Sequence, residues 1–330
     1  CGNSGTTTRL LCGLLAGRPF ASALDGDVSL RSRPMGRVIE PLREMGAHIT
    51  SEGQENRAPL HIHGIAPDRP LRGFLYRSPV ASAQVKSALL LAGLQAQGTT
   101  RIWEPVRSRD HTERMLPAFG AQVSVQGTTV SVTGGQSLHA CELDVPGDIS
   151  SAAFFMGAAL IVPNSLVRIR EVGLNPTRTG VLDVFRAMGG SLKIVNTREV
   201  CGEPVGDVVV ETSALQGIEI NGELVVRAID EFPIIAVVAA CARGTTTIRG
   251  AQELRVKESD RIQTIAAALR TLGVTLTELP DGLIIEGSGL SHAPHAPHAF
   301  RSSRVRSAGD HRIAMALSVA GLVAAEPIVL

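Results

Sequence analysis

The sequence predicts an α/β protein built from a unit of roughly 70–80 residues that repeats along the chain. Amphipathic helices that close with a hydrophobic residue and a glycine recur, ending at Gly46, Gly120, Gly189 and Gly273. Helices that are apolar on every side alternate with them, and most lead into a β-branched segment. We therefore expect units of strand, helix, strand pair and helix, with a change of domain near residue 144, in "ELDVPGDIS".

The amphipathic helices carry their apolar residues three or four positions apart, as expected for a helix with one buried face. In the last of them the stripe consists of Ile262, Ile265, Ala266, Leu269 and Leu272. In the third it consists of Val181, Val184, Phe185 and Met188. The closing glycine suits a helix C-terminus. The alternating segments that follow, "AQVSVQGTTVSVTG" and "VTLTELPDGLIIEG", predict β-hairpins.

Five helices of the second type are expected to be buried on all sides because no face of them is polar. They are "GTTTRLLCGLLAG", "SAQVKSALLLAGL", "DISSAAFFMGAALIV", "DEFPIIAVVAACARG" and "DHRIAMALSVAGLVAA". Four lead into a predicted strand, namely "TTRIWE", "SLVRIRE", "TTTIRG" and "EPIVL".

The composition of the chain limits the number of domains and the kinds of partner that we expect. A chain of 330 residues with 44% hydrophobic residues suggests about two domains with ample cores. The net charge of +1 and an aromatic content of 3% give no indication of a nucleic-acid or membrane partner. The longest uncharged apolar run, residues 313–325, is too short to span a bilayer. Five cysteines without a CxxC pair predict reduced thiols in a cytoplasmic protein.

Polar clusters open the predicted helices of both types. They contain Arg9, Arg33, Arg37, Ser108, Arg109, Asp110, Arg178, Lys257, Arg261, Asp310, His311 and Arg312. Cations at a helix N-terminus oppose the helix dipole, so the arrangement favours a bound anion that is rich in phosphate or carboxylate groups. For "RSRDHTER" alone, ordinary surface ion pairs are the simpler interpretation. "GNSGTTTR" resembles an anion-binding turn but lacks the lysine of a P-loop.

Three segments leave alternatives open. In "RVKESDR", Lys257, Glu258 and Arg261 would share one helical edge, either as a structural ion pair or as a proton-transfer carboxylate beside an anion site. The pair Asp230-Glu231, before "FPIIAVVAA", offers a second candidate carboxylate or a helix N-cap. The segment at 291–309 reads as a surface loop, and its His292, His295 and His298 could bind a metal but fit a solvated loop better.

Nine segments together resemble one known family. They are "GNSGTTTRLL", "RPMGRVIEPLREMGA", "SPVASAQVKSALLLAGL", "SRDHTERML", "PGDISSAAFF", "LNPTRTG", "DEFPIIAV", "RVKESDRI" and "GDHRIAMAL". In this order they resemble the bacterial 5-enolpyruvylshikimate-3-phosphate synthases over essentially all 330 residues. The resemblance implies two inside-out α/β barrel domains, here residues 1–144 and 145–330, built from βαβαββ units with the active site in the cleft between them.

The resemblance also implies a reaction. The enolpyruvyl group of phosphoenolpyruvate passes to the 5-hydroxyl of shikimate 3-phosphate and phosphate is released, by addition and elimination through a tetrahedral intermediate. It implies a cytoplasmic monomer of the shikimate pathway, without metal or organic cofactor and with no nucleic-acid or membrane partner. Glyphosate is implied as an inhibitor that occupies the phosphoenolpyruvate subsite.

The site residues follow from the same resemblance. The implied catalytic residues are Asp230, Glu258, Lys257 and His311. The implied phosphoenolpyruvate ligands are Gly5, Arg33, Gln84, Arg261 and Arg312. The implied shikimate 3-phosphate ligands are Asn3, Thr6, Arg9, Ser82, Ala83, Gln84, Ser108, Asp230 and Lys257.

Some features depart from the family pattern. Ala83 and Glu253 stand where some members carry Ser and Asn. The chain opens without Met, and the family's "DKS" segment and C-terminal lysine segment are missing from it, so we expect an internal piece that binds weakly and does not turn over. Two alternatives remain: a relative of UDP-N-acetylglucosamine enolpyruvyl transferase, and a non-catalytic anion-binding homologue.

Overall fold

The protein is described from a computed structural model that covers residues 1–66, 68–289 and 299–330. The chain forms two compact units, Cys1–Leu143 and Asp144–Leu330. The division falls inside "ELDVPGDIS", the segment in which the sequence predicts a change of domain. Across the described ranges, every helix is too short or too polar to cross a membrane.

The described part of the first unit contains five α-helices. They are α1 (Gly5–Ala16), α2 (Val28–Ser32), α3 (Gly36–Glu44), α4 (Ala83–Gly93) and α5 (His111–Ala118). Its strands are β1 (Ser22–Leu24), β2 (His48–Gly53), β3 (Arg57–His63), β4 (Leu75–Arg77), β5 (Thr99–Trp103), β6 (Val123–Gln126) and β7 (Thr129–Thr133). One sheet is antiparallel in the order β1-β3-β2. The other has the order β4-β5-β7-β6, with β4 parallel to β5.

Helices α1 and α4 pack closely in the core of the first unit. A Cβ atom on Gly13 would lie 2.0 Å from the carbonyl oxygen of Ala88, so only glycine permits this approach. Cys12, Ala88 and Leu89 are fully buried between these helices and their neighbours. Burial raises the pKa of the Cys12 thiol to about 12, although the charge of Arg9 opposes the change. This cysteine is therefore an inert core residue.

The described part of the second unit contains six α-helices. They are α6 (Ile149–Ile161), α7 (Gly180–Ala187), α8 (Gly222–Arg227), α9 (Phe232–Cys241), α10 (Arg261–Thr271) and α11 (His311–Gly321). Its strands are β8 (Leu166–Gly173), β9 (Ser191–Val200), β10 (Glu203–Glu211), β11 (Glu219–Ile220), β12 (Arg243–Ile248), β13 (Leu276–Leu279) and β14 (Gly282–Ser288). One sheet is antiparallel in the order β8-β10-β9. The other has the order β11-β12-β14-β13, with β11 parallel to β12.

Helix α9 is the centre of the second core. All ten of its residues are buried, and it packs against α6, α11 and β14. This confirms the prediction from "FPIIAVVAA". Burial on all sides is incomplete elsewhere, because Phe155 of α6 is 64% exposed and Leu14 of α1 is 37% exposed. The mixed architecture of helices and sheets in two units matches the predicted α/β class.

The predicted helix stripes and helix ends are confirmed. The stripe residues of α7 and α10 are all removed from solvent. The four closing glycines have positive φ angles, +102° at Gly46, +85° at Gly120, +90° at Gly189 and +92° at Gly273. Glycine adopts this conformation without the clash that a Cβ atom would cause, so it ends each helix. The two predicted hairpins form as β6–β7 and β13–β14.

Two local predictions are wrong. "EPIVL" does not form a strand; Val329 makes only an isolated parallel bridge with Arg304, because the neighbouring segment is not itself a strand. The segment 299–309 is more than a surface loop, because Phe300 and Val305 are buried in the second core. The histidines at 292, 295 and 298 lie outside the described residues. All five cysteines are free, as predicted.

Candidate active site

In the first unit, polar side chains gather at the N-terminal end of α1. Ser4 caps this helix by accepting the N–H of Thr7 at 3.1 Å. Gly5 is the first helical residue, and a Cβ atom there would lie 3.1 Å from Nη1 of Arg9 and 3.2 Å from Nη1 of Arg33. Because Gly5 lacks a side chain, two guanidinium groups can approach the start of a helix. The helix dipole and the first backbone N–H groups favour an anion at such a position.

Gln84 connects this cluster to the start of α4. Arg9 donates through Nη1 to Gln84 Oε1 at 2.5 Å, and Gln84 donates through Nε2 to Thr6 Oγ1 at 2.6 Å. Arg9 also donates through Nη2 to the carbonyl oxygen of Pro34 at 3.0 Å. The opposite characters of its two partners fix the orientation of the Gln84 amide. The structure thus brings together residues that the sequence places in three separate segments.

Three other predicted residues of the first unit, Asn3, Arg33 and Ala83, each lie at or next to a helix terminus. Asn3 is exposed, and its carbonyl oxygen accepts the N–H of Gly5 at 3.1 Å. Arg33 follows α2 and donates through Nη2 to Ser29 Oγ at 3.4 Å. Ala83 is the first residue of α4.

Ser82 and Ser108 meet at one buried carboxylate, Glu104, which no sequence pattern indicates. Ser82 is the N-cap of α4, and its N–H donates to Glu104 Oε1 at 2.8 Å. The Ser108 hydroxyl lies 2.8 Å from both oxygens of Glu104. Glu104 follows β5 directly and is 2% exposed. Sequence reasoning missed it because a single glutamate after a strand carries no distinguishing pattern.

Glu104 belongs to a buried charged trio. The Nζ atom of Lys86 lies 3.0 Å from Glu104 Oε2 and 2.8 Å from Glu113 Oε1. The side chain of Lys86 is 1% exposed. Burial raises the pKa of Glu113, against the opposing charge of Lys86. A lysine inside the apolar run of "SAQVKSALLLAGL" was the available signal, because a buried cation requires a partner.

In the second unit, Arg261 is the centre of a dense ionic cluster. It is the first residue of α10 and is 1% exposed. Its Nε atom donates to Asp310 Oδ2 at 2.8 Å, and its Nη2 atom donates to Glu258 Oε2 at 2.5 Å. Its Nη1 atom lies 3.4 Å from Asp230 Oδ1. One guanidinium therefore holds three carboxylates from three separate segments of the chain.

Two further cations lie beside Asp230. The Nζ atom of Lys257 is 3.8 Å from Asp230 Oδ1. Arg312 donates through Nη1 to the carbonyl oxygen of Asp230 at 3.3 Å. Asp230 itself lies in a 3-10 turn just before α9 and does not cap that helix through its side chain, so the N-cap alternative is wrong. His311 is exposed and is the first residue of α11.

The expectation that Lys257, Glu258 and Arg261 share one helical edge is wrong. Helix α10 begins only at Arg261, because Asp260 caps it by accepting the N–H of Gln263 at 3.0 Å. Lys257 has extended backbone angles and Glu258 lies in the connection before the cap. The three side chains converge because the chain turns here.

The sequence indicates Asp310 only as one member of a polar cluster at a helix start. It is fully buried, caps α11 by accepting the N–H of Arg312 at 2.9 Å, and accepts the hydroxyl of Ser259 at 3.2 Å. Burial would raise its pKa, but the hydrogen bond and charge of Arg261 outweigh this effect and hold that pKa below its usual value. Asp310 thus fixes the starts of two elements that carry predicted site residues.

Other polar helix starts form ordinary ion pairs. Asp110 accepts from Arg107 at 2.6 Å and from Arg114 at 2.9 Å, so "RSRDHTER" does form the expected ion pairs, but Asp110 is buried and the pairs are not purely at the surface. Arg178 precedes α7, donates to the Ser150 hydroxyl at 2.6 Å and pairs with Asp148 at 3.1 Å. Burial would raise the pKa of Asp148, but the charge of Arg178 together with the hydrogen bonds from Ser151 and Ser150 outweighs burial and lowers that pKa.

The second unit therefore presents two partly exposed carboxylates, Asp230 and Glu258, on one buried arginine with two more cations beside them. Carboxylates in such a setting can transfer protons, and the cations can hold an anion. The first unit supplies guanidinium, amide and hydroxyl groups around helix starts.

Comparisons with known proteins agree with this chemistry. The family model described as EPSP synthase (3-phosphoshikimate 1-carboxyvinyltransferase) matches residues 1–330. The 3-phosphoshikimate 1-carboxyvinyltransferase of Geobacter sulfurreducens is 57% identical over 324 residues, which cover 98% of this chain and 72% of that protein. The enzyme of the same name from Bacillus subtilis is 51% identical over 327 residues, which cover 99% of this chain and 74% of that protein.

Solved structures give the same result. An EPSP synthase from Acinetobacter baumannii superposes with a TM-score of 0.86 at 48% identity, over 99% of this chain and 73% of that one. The chain belongs to the EPSP synthase family.

Proposed function

We propose that this protein transfers the enolpyruvyl group of phosphoenolpyruvate to the 5-hydroxyl of shikimate 3-phosphate, with release of phosphate. This is the reaction that the name of its family describes. It places the protein in the shikimate pathway, which leads to chorismate and the aromatic amino acids.

The placement of Asp230 and Glu258 on Arg261 is the observation that carries the proposal. Their oxygens lie 3.4 Å and 2.5 Å from the two Nη atoms of this one side chain. The reaction requires one proton to leave a hydroxyl and another to reach a methylene carbon. Two carboxylates held close together but in different surroundings suit this requirement.

Asp230 takes the proton of the 5-hydroxyl group while the oxygen of that hydroxyl attacks C2 of phosphoenolpyruvate. Glu258 donates a proton to C3. A carbon–oxygen bond forms and the methylene becomes a methyl group, which gives a tetrahedral intermediate. In the elimination, Glu258 takes a methyl proton back, the bond to the phosphate oxygen breaks, and the proton on Asp230 leaves with the phosphate. Lys257, 3.8 Å from Asp230, contacts the shikimate side.

We assign Gly5, Arg33, Gln84, Arg261 and Arg312 to phosphoenolpyruvate. Arginine forks match phosphate and carboxylate oxygens, which supports the assignment of the cations. Because Arg261 is buried and holds Asp230 and Glu258, an anion bound beside this cluster lies next to the groups that transfer protons. Binding and proton transfer are thereby coupled.

We assign Asn3, Thr6, Arg9, Ser82, Ala83, Gln84 and Ser108, together with Asp230 and Lys257, to shikimate 3-phosphate. The Arg9–Gln84–Thr6 chain of hydrogen bonds supports this for the first unit, because it orients amide and guanidinium donors at two helix starts. His311 is assigned a supporting catalytic contact from its place at the start of α11.

We further propose that each unit is an inside-out α/β barrel of repeated βαβαββ elements. Helix α9 inside the second unit and the close α1–α4 pair inside the first support this arrangement. We also propose a cytoplasmic monomer that uses no metal or organic cofactor; five free cysteines support a reducing compartment.

The test is phosphate release from phosphoenolpyruvate with shikimate 3-phosphate as acceptor, measured with the protein that carries this chain. Parallel reactions contain UDP-N-acetylglucosamine, or no acceptor. We expect turnover only with shikimate 3-phosphate, and an enol ether product by mass spectrometry. Turnover with the nucleotide sugar would indicate the sister transferase instead. Binding without any turnover would indicate an anion-binding homologue.

A further inference from the structure

We propose that Glu104 is a positioning residue for the sugar-phosphate substrate, holding Ser82 and Ser108 in their binding geometry with Lys86 as its counter-ion. This inference rests on the proposed function, because it assigns a substrate to the two serines. Glu104 itself is buried and acts through them.

The contacts join two helix starts through one carboxylate. Glu104 Oε1 accepts the N–H of Ser82 at 2.8 Å, at the cap of α4. The same carboxylate lies 2.8 Å from the Ser108 hydroxyl and 3.5 Å from the Ser108 N–H, just before α5. In many helices a glutamate in the third helical position accepts the N–H of the cap residue. That position in α4 is Val85, so Glu104 supplies the acceptor from a distant segment.

The hydrogen bonds also define what each serine offers to a ligand. A carboxylate can only accept, so the single hydroxyl hydrogen of Ser108 points at Glu104. The Ser108 oxygen is then an acceptor, suited to a hydroxyl group of the substrate. The Ser82 hydroxyl accepts a long 3.5 Å bond from Val85 N–H, which leaves its own hydrogen for a phosphate oxygen. Glu104 thereby sets the role of the Ser108 hydroxyl and anchors the backbone of Ser82, while the cap of α4 sets the opposite role of the Ser82 hydroxyl.

Stability alone does not explain this carboxylate. A buried ion pair can often be replaced by apolar residues of similar volume without loss of stability. Lys86 and Glu104 are 1% and 2% exposed in their side chains, which makes both of them costly to bury. What the pair provides, and apolar residues could not, is an acceptor fixed between two serines.

Glu113 provides a matched control. It pairs with the same Lys86 Nζ at 2.8 Å, from the first turn of α5. Its second oxygen, Oε2, is buried without a hydrogen-bond partner within the described residues, and its contacts there do not include Ser82 or Ser108. A role limited to pairing with Lys86 would make Glu104 and Glu113 equivalent. The positioning role makes them different.

The experiment compares Glu104→Gln with Glu113→Gln in the protein that carries this chain. KM for each substrate, kcat, and calorimetric binding of shikimate 3-phosphate are measured for both variants and the unsubstituted protein. A glutamine at 104 places an amide donor beside Lys86 and the Ser108 hydroxyl. We expect about a tenfold or larger rise in KM and Kd for shikimate 3-phosphate, because bonds to charged groups of this kind are strong. We expect KM for phosphoenolpyruvate to change less than about twofold, and both KM values to stay unchanged in Glu113→Gln.

A Glu104→Gln protein that folds and keeps its affinity for shikimate 3-phosphate overturns the proposal. Equal losses for both substrates, or the same loss in Glu113→Gln, overturn it as well. If Glu104→Gln does not fold, the double variant Lys86→Met, Glu104→Gln removes both charges, and the same selective loss is expected of it. If the unsubstituted protein does not use shikimate 3-phosphate, the proposed function fails, which is a separate outcome from the failure of this inference.

Discussion

Arg261 and Asp310 form a fully buried ion pair, with 2.8 Å between Nε and Oδ2 and at most 1% exposure on either side chain. Asp310 also caps α11 through the N–H of Arg312. One carboxylate therefore orients the arginine that holds Asp230 and Glu258 and fixes the helix start that carries Arg312. Stability and catalysis should both depend on it.

Asp310→Asn should keep the cap, because asparagine caps helices well, but should lose the charge that balances Arg261. We expect a destabilisation of about 3 kcal/mol at neutral pH, since breaking a buried pair leaves a charge uncompensated. The pKa of Asp310 is lowered in the folded state, so its stabilisation is present above the ordinary value of about 3.9 and is lost as pH falls through the lower folded value. Urea unfolding of both proteins between neutral and acid pH measures this.

The two stability curves should approach each other only in the acid range. A constant difference at all pH values would show that the ionisation of Asp310 is not the cause. Asp260→Asn is the control, because Asp260 caps α10 in the same way but is paired with the more exposed Arg255.

Glu258→Gln should bind both substrates and lose turnover, because a glutamine keeps the hydrogen bond to Arg261 but cannot donate the proton. General acid–base catalysis typically contributes about 10²–10⁴-fold, and we expect a fall in kcat of that size. Steady-state rates and calorimetry on the same preparation separate the two effects. Glu286→Gln, an exposed carboxylate on β14, is the control. A near-normal kcat would refute the role of Glu258.

Gly5→Ala should weaken the binding of glyphosate more than the binding of phosphoenolpyruvate. The new methyl group would lie 3.1–3.2 Å from the guanidinium groups of Arg9 and Arg33, so these must shift by a few tenths of an ångström. Overpacking of this kind costs about 1–3 kcal/mol, and we expect inhibition to weaken about fivefold or more. Inhibition curves with and without the substitution test this. Gly321→Ala, where nothing lies within 4 Å, is the control. Equal inhibition of Gly5→Ala and the unsubstituted protein would contradict the steric argument.

Glu113→Gln should stabilise the protein at neutral and higher pH. Burial raises the pKa of Glu113, so the folded state holds its proton more tightly than the unfolded state. Its favourable contribution is complete below the ordinary value of about 4.3 and is lost as pH rises through the folded value. Glutamine mimics the neutral form, so its advantage should appear above that range and vanish below it. Thermal unfolding across the range measures the effect, and a variant that is less stable at every pH would contradict it.

Local patterns in the sequence were sufficient for much of the fold. The buried stripes of α7 and α10, the positive φ angles at the closing glycines and the two hairpins all depend on residues near one another in the chain. Such features follow from helix periodicity and turn geometry. "EPIVL" was predicted wrongly because a strand requires a partner, and a partner is not a local property.

The candidate site also combines features that the sequence predicts with features that depend on the tertiary structure. The sequence by itself determined which charged residues gather near the helix starts, and its motifs determined the family. Only the tertiary structure decided how they are connected: Lys257 and Glu258 precede α10, and Arg261 reaches Asp310 across 49 positions. Likewise, Glu104 reaches Ser82 across 22 positions. Buried charges require partners wherever the fold brings them, and those partners are set by packing between elements, which sequence spacing does not record.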